Sequence, residues 1–284
     1  MLNSTRQSTL FSMLMEKENF HALSRKTLTL SGDLFFIDNI YGAISLVDLK
    51  HGVGRERSIG LHSGTFQRPR ALVYALLNAL DLHPILPFNE IDQHIQGIGL
   101  SDVHFVATQL AQYFNYTNTF LHKEPILDIT EKIPKFTELD FILSSDVFEH
   151  IPPPVERAFE ACYAMLKPGG VCVLTVPYHP GDGQTIEHFP SLHKWKIKNS
   201  RTGPYIRNQN RNGEIEIFEN LVFHGGDGLT LEMRVFSERD LIRMAKEAGF
   251  REVTVLREAF PLIGIFPEDF DPKVPMGMPL IFRK

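Results

Sequence analysis

Two short apolar runs stand out in the pattern of hydrophobic and polar positions. Phe141-Ile-Leu lies between Asp140 and Ser144-Ser-Asp, and Val171 to Val176 lies between Lys167-Pro-Gly-Gly and Pro177. Such runs, apolar at consecutive positions, predict strands buried on both faces. Between them Pro152-Pro-Pro can open a helix but cannot lie inside one, and Val155, Phe159, Cys162, Tyr163 and Leu166 then recur on one helical face. A strand, a helix and a second strand of this size predict a right-handed parallel crossover. The glycines of Lys167-Pro-Gly-Gly would stop the helix, and Ser144, Ser145 and Asp146 close the first strand with small polar groups able to face a ligand.

The same periodicities organise the rest of the chain. Ile95-Gln-Gly-Ile-Gly-Leu reads as a strand running into a small-residue turn. Val103, Val106, Leu110 and Phe114 then have helical spacing, with Ser101 or Asp102 suited to the N-cap. Tyr116-Thr-Asn-Thr-Phe-Leu predicts the next strand, and Ile126-Leu-Asp-Ile-Thr a brief polar-ended segment. Ala71 to Leu80 is apolar almost all round and predicts a helix packed on the main sheet. After Tyr178 the pattern lapses, with β-like pieces such as Ile215-Glu-Ile-Phe and Leu221-Val-Phe-His in a stretch of the kind that forms lids. Regularity returns with a helix opened by Ser237 and closed by Gly249, followed by Val253-Thr-Val-Leu and Leu280-Ile-Phe, two strands that could pair antiparallel at the sheet edge. Near the start, Ser8 to Met15 reads as a packing helix, and Thr27 to Ile37 with Ala43 to Val47 as an antiparallel ribbon. The expected organisation is an appendage over residues 1–64 and a main domain over 65–284, with an insertion at about 179–236.

Composition narrows the function. The chain of 284 residues is 43% apolar, enough for a sizeable core, and its formal charge of -5 with scattered Lys and Arg speaks against a nucleic-acid partner. Cys162 and Cys172 lack metal-ligand spacing and read as small core residues, so no metal is expected. No apolar run approaches the roughly 20 residues of a membrane span, and no secretory signal pattern opens the chain. A soluble cytoplasmic protein without a membrane partner is the expectation; the oligomeric state is left open.

The Asp140 to His150 strand end, the Lys167-Pro-Gly-Gly turn and Ala248-Gly-Phe before a late strand together resemble the Rossmann-like S-adenosylmethionine-dependent methyltransferases, over about Ile95 to Lys284. The strings Gly97-Ile-Gly-Leu-Ser-Asp, Tyr116-Thr-Asn-Thr, Ser145-Asp-Val-Phe-Glu-His and Leu231-Glu-Met-Arg-Val-Phe-Ser-Glu look like a bacterial subgroup that often accompanies glycan-modifying enzymes. Some of its members carry cysteine pairs near the N-terminus, which this chain lacks. The resemblance implies an α/β fold: a mostly parallel seven-stranded sheet flanked by helices, its last strand antiparallel, with a small N-terminal β/helical appendage. It also implies S-adenosylmethionine as cofactor. Gly97 and Gly99, two of the family's usual three loop glycines, would with Ser101 bring backbone and a helix N-terminus to its methionine portion. Asp128, with Ile129 beside it, matches the adenine position, although a turn aspartate reads as well. Asn118 or Thr119 could reach the ribose, and Ser145 and Asp146 lie at the strand end where open α/β sheets bind ligands.

A sulfonium methyl is already activated, so the protein must align an acceptor and exclude water, and a hydroxyl acceptor gains from a general base. His150, His179, Glu187 and His188 are the candidates, weighed against a turn-capping histidine and solvated loop residues. Glu232 and Arg234 fit an exposed strand face as well as an acceptor clamp. The leading expectation is methyl transfer to oxygen of a small molecule or saccharide. The missing glycine and the N-terminal appendage keep open a catalytically inactive methyltransferase-like binding or scaffold protein. A nicotinamide or nucleotide-sugar enzyme is disfavoured because no Gly-x-Gly-x-x-Gly follows a predicted strand.

Overall fold

The structure is a computed structural model that describes residues 16–17, 20, 23–30, 33–48, 54–131, 136–224, 230–266 and 275–284. The helix expected over Ser8 to Met15 lies outside them. In chain order, β1 (Leu28–Leu30), β2 (Asp33–Ile37), β3 (Ile44–Asp48) and β4 (Ile59–Gly60) form an antiparallel sheet. Helix α1 (Gln67–Ala79) leads to β5 (Asp92–Leu100), α2 (His104–Tyr113), β6 (Phe114–Thr119) and β7 (Leu139–Ser145). The crossover helix α3 (Glu156–Met165) and β8 (Leu166–Thr175) follow.

The region after β8 is all β. It holds β9 (Tyr178–His179), β10 (Ile186–Glu187), the three-stranded sheet of β11 (Lys194–Ser200), β12 (Gly203–Gln209) and β13 (Ile215–Phe218), then β14 (Phe223–His224), β15 (Thr230–Leu231) and β16 (Arg234–Ser237). Helix α4 (Glu238–Glu247), β17 (Glu252–Val255) and β18 (Leu280–Arg283) complete the fold. Ser237 caps α4 by accepting from the Asp240 N–H at 3.2 Å, as the sequence predicts.

The central sheet has the order β17-β18-β8-β7-β5-β6, with β5 to β8 parallel and β18 antiparallel to both neighbours. Among the described residues it has six strands, not the expected seven. The segment from Ile126 contributes only a parallel bridge to Phe120. Its run is cut short by Pro125, which has no N–H, and by Asp128, whose side chain folds the backbone into a turn. The Lys167-Pro-Gly-Gly turn also differs, since α3 ends at Met165 and those residues already belong to β8.

Helices cover both faces, giving three layers. Phe141, Leu143, Val171 and Val173 pack with α1 and α2 residues such as Leu76 and Leu110. Ile142, Cys172 and Leu174 face Phe159 and Cys162 of α3 and Leu241 of α4. No helix among the described residues is long and apolar enough to cross a membrane.

Arg70 of α1 is wholly buried yet fully engaged. Its guanidinium donates to the carbonyls of Ser58 (2.6 Å), Thr65 (2.8 Å) and Gly264 (2.9 Å) and lies 4.3 Å from the Phe36 ring centroid. Burial pulls its pKa down to about 10, so it remains charged at neutral pH. Arg70→Met would strand these acceptors together with the Asp38–Thr65 pair behind them. It is expected to lower stability by about 3–5 kcal/mol in urea unfolding, whereas exposed Arg251→Met should stay within about 0.5 kcal/mol of the parent protein.

Candidate active site

Leaving β5, the chain makes β6 on one side of it and returns to make β7 on the other. The carboxyl ends of β5 and β7 therefore flank a topological switch point, where open α/β sheets bind ligands. Ser101 takes the left-handed conformation (φ 60°) just past β5, a backbone state that usually calls for glycine. Asp102 follows and is buried. Its backbone N–H donates to Asn118 Oδ1 and its carbonyl accepts from Asn118 Nδ2, both at 2.9 Å, while Tyr116 Oη donates to Asp102 Oδ2 at 2.6 Å. The carboxylate is thereby unavailable to cap α2, whose N-cap is Val103 and which has no side-chain cap. Its other oxygen, Oδ1, is buried without a hydrogen-bond partner.

Gly97 and Gly99 have an internal reason to be glycine. A Cβ on Gly97 would enter the Phe141 ring, and one on Gly99 would strike Tyr116 Oη and Asp102. Asn118 is spent on the Asp102 backbone. Asp128 Oδ1 accepts from the Thr130 N–H (2.8 Å) and hydroxyl (2.7 Å), the turn geometry of its alternative reading, and Ile129 is buried in the core.

At the end of β7, Asp146 is also left-handed (φ 54°) and its N–H donates to the Thr175 carbonyl at 2.9 Å. Two arginines converge on its carboxylate. Arg55 Nη2 pairs with Oδ1, and Arg68 Nε stands 3.4 Å from Oδ2 while Arg68 Nη1 donates to Ser145 Oγ. Arg68, Asp102, Val103 and Ser145 line one narrow cleft with Phe66. Glu149 lies beyond, fully buried, with both carboxylate oxygens unpartnered. Burial first, and the charge of Asp146 second, raise its pKa well above the usual carboxylate range.

His150 closes the short turn Phe148–His150, and its Nδ1 lies 2.9 Å from the Leu231 carbonyl. A carbonyl can only accept, so Nδ1 carries the proton, and Nε2 of the neutral ring, 3.8 Å from Glu149 Oε1, keeps its lone pair out of any hydrogen bond. Burial lowers the His150 pKa below the usual imidazole value, which keeps the ring neutral at pH 7. Its ring meets His224 edge-on at 5.2 Å between centroids. Glu232, 7% exposed, bridges His188 Nε2 (2.9 Å) and His224 Nε2 (2.7 Å), so the structure joins His188 to His150 through two intermediaries. Glu187 accepts from Arg234 Nε at 2.6 Å and neutralises that wholly buried cation, which also donates to the carbonyls of Phe148 and Ile151. Glu232 and Arg234 are thus both buried, contrary to the exposed strand face. His179 sits where β9 pairs with β16, its Nδ1 buried without a partner. Among the described residues no cluster of His, Cys, Asp and Glu is placed to hold a metal ion.

The family profile of a methyltransferase domain matches residues 90–255, more than half of the chain. The chain belongs to that methyltransferase family. No curated protein matches it. Similar solved structures include an S-adenosylmethionine-dependent methyltransferase from Clostridium acetobutylicum, 14% identical over 78% of this chain and 93% of that one, with a TM-score of 0.42. Another is the amino pentose methyltransferase CalS10 from Micromonospora echinaspora, 14% identical over 78% and 93% of the two chains, with a TM-score of 0.40.

Arg55 and Arg68 of this methyltransferase lie upstream of the matched span, and sequence reasoning passed over both. A signal existed for Arg68. It stands in the first turn of α1, where the helix dipole disfavours a cation and no acidic residue compensates. Arg55 offers no such mark. Glu149 was hidden because a carboxylate is seldom fully buried without a partner.

Burial raises the Asp102 pKa from 3.8 to about 6, against the lowering effect of the Tyr116 hydrogen bond. A folded-state pKa above the unfolded one gives a stabilisation present below pH 3.8 and lost as pH rises through about 6. Asp102→Asn should abolish that slope and raise stability at pH 7 by about 3 kcal/mol, the equivalent of roughly two pK units. Urea unfolding of both proteins between pH 4 and 8 measures it.

Proposed function

We propose that this methyltransferase uses S-adenosylmethionine to methylate an oxygen atom of a small-molecule or saccharide acceptor in the cytoplasm, without a nucleic-acid or membrane partner. Residues 65–284 form the catalytic domain, residues 1–64 an appendage to it, and residues 179–236 the acceptor-side insertion. The donor lies over the β5 loop, with Gly97, Gly99 and Ser101 at its methionine portion, Asn118 at the ribose, Asp128 and Ile129 at the adenine, and Ser145 and Asp146 beside the reacting end. The residues present suit such a group: a left-handed Ser101 ahead of a helix without a side-chain cap, and a buried Asp102 oxygen without a partner in the adjoining cleft. When bound, the donor supplies a methyl group activated on a sulfonium.

The observation that carries the reading is the tautomer of His150. With Nδ1–H donated to Leu231, its Nε2 can take the acceptor's hydroxyl proton as the methyl group is transferred. Asp146 and Glu232 favour the imidazolium that results, while burial keeps the resting ring neutral. Glu187 serves Arg234 instead, and His188 acts through Glu232. His179 remains available toward the acceptor.

A second reading, a methyltransferase-like binding or scaffold protein without catalysis, draws support from Asn118 and Asp128, whose side chains are engaged internally. Donor-dependent turnover separates the two. Purified protein should convert S-adenosylmethionine to S-adenosylhomocysteine faster in the presence of hydroxylated acceptors such as sugars, whereas donor binding without turnover across a broad panel favours the scaffold. His150→Gln is expected to lower kcat by about 10²–10⁴ with donor affinity unchanged. The parent kcat should fall only below the usual imidazole pKa of about 6.5, because the folded-state value is lower.

A further inference from the structure

The charges around Asp146 point to a ligand of particular chemistry. Arg55 and Arg68 both pair with Asp146, and Arg68 also donates to the exposed Glu56 through Nε and Nη2. Burial and the charge of Asp146 push the nearby Glu149 carboxyl well above the usual carboxylate range. The two cations thus face Asp146 and the exposed Glu56, with the buried Asp102 carboxylate beside Arg68 in the same cleft. A bare anion that took the guanidinium groups would leave Asp146 unmatched in a partly desolvated cleft, which is costly. A zwitterion would not: its carboxylate can take over the guanidinium groups while its ammonium takes over Asp146.

The two arginines are also delivered together. Arg55 lies in the turn closed by the Arg57 N–H to Gly54 carbonyl bond (2.9 Å), and its own carbonyl accepts the Arg68 N–H at 2.9 Å. Its side chain occupies the space that a Cβ on Gly277 would need, and its Nε is buried without a hydrogen-bond partner. Arg68 reaches the same carboxylate from the first turn of α1 and faces the unpartnered Asp102 oxygen across the shared cleft. Guanidinium groups suit a carboxylate because their planar fork matches its two oxygens.

We propose that Arg55 and Arg68, from outside the family-matched region, clamp the carboxylate of the donor's amino-acid end while Asp146 receives its ammonium. The resting ion pairs with Asp146 hold the clamp in place and are exchanged one for one when the ligand enters. This rests on the donor reading given above, and it makes the region ahead of α1 part of the binding site.

The test is calorimetric titration of the full chain with S-adenosylhomocysteine and with 5′-methylthioadenosine, which keeps the nucleoside and thioether but lacks the amino-acid end. Arg55→Gln and Arg68→Gln should each weaken S-adenosylhomocysteine by about 10- to 100-fold, the value of a charged hydrogen bond. Methylthioadenosine should stay within about 2-fold of the parent protein, as should both ligands for the exposed Arg57→Gln control. Arg68→Lys, which keeps the charge without the fork, should recover part of the loss. Unchanged S-adenosylhomocysteine affinity in the glutamine variants overturns the clamp alone and leaves the donor reading standing. Equal weakening of both ligands also overturns it, since it assigns the arginines a structural role. A parent protein that binds neither ligand removes the donor reading and the clamp with it.

Discussion

A guanidinium taken out of water must find acceptors for its donors, and two such groups hold this molecule together. Arg70 and Arg234 are both wholly buried. Arg70 gathers carbonyls from the turn after β3, from the loop before α1 and from Gly264, so the N-terminal sheet and the C-terminal segment are fastened to one side chain on α1. Arg234, through Nη1 and Nε, gathers the carbonyls of Phe148 and Ile151 and the carboxylate of Glu187, with Nη2 alone left without a hydrogen bond, and so fastens β10 and β16 to the turn carrying His150. Desolvation makes both arrangements close to all-or-none, because removing one partner leaves the others buried and unpaired. Segments outside the central sheet are thereby fixed against its carboxyl edge.

The same economy of burial shapes the charges at that edge. Asp146 pairs with two arginines, whereas Glu149, three residues on, is driven toward its neutral form by burial and by the charge of Asp146. One carboxylate is thus a partner for cations, and the other is buried with Oε1 3.8 Å from His150 Nε2, although the two stand only three residues apart.

How much of this was legible depends on where the signal lies. β7 and β8 could be read from Phe141-Ile-Leu and Val171 to Val176 because burial on both faces writes a continuous apolar run. Ser237 announced α4 because capping is local. The expected count of seven strands exceeds the six among the described residues, and the brief segment from Ile126, held between Pro125 and the turn at Asp128, adds only one bridge. Gly97 and Gly99 were legible as glycines, yet their neighbours Phe141 and Tyr116 belong to adjacent strands and could be known only once the sheet was formed. Arg234 and Glu232 alternate with apolar residues as an exposed strand would. Burial of both follows from long-range partners, Glu187 for one and two histidines for the other, which no local pattern encodes.

The insertion is where local pattern failed most and where partners matter most. Glu232 accepts from His188 and His224 at once, and the carboxylate therefore fixes the Nε2–H of both rings. His224 in turn meets the His150 ring, and the Leu231 carbonyl, one residue before Glu232, fixes the His150 tautomer. One short segment, Leu231 to Arg234, thus orients His150 through a backbone carbonyl, holds two further imidazoles through Glu232 and anchors the turn beneath them through Arg234. Glu232 attracts and His224 repels a proton on His150, so the charge state of that ring and the seating of these two side chains are coupled. This segment is therefore more than a cover over the sheet edge: it fixes which nitrogen of His150 carries the proton.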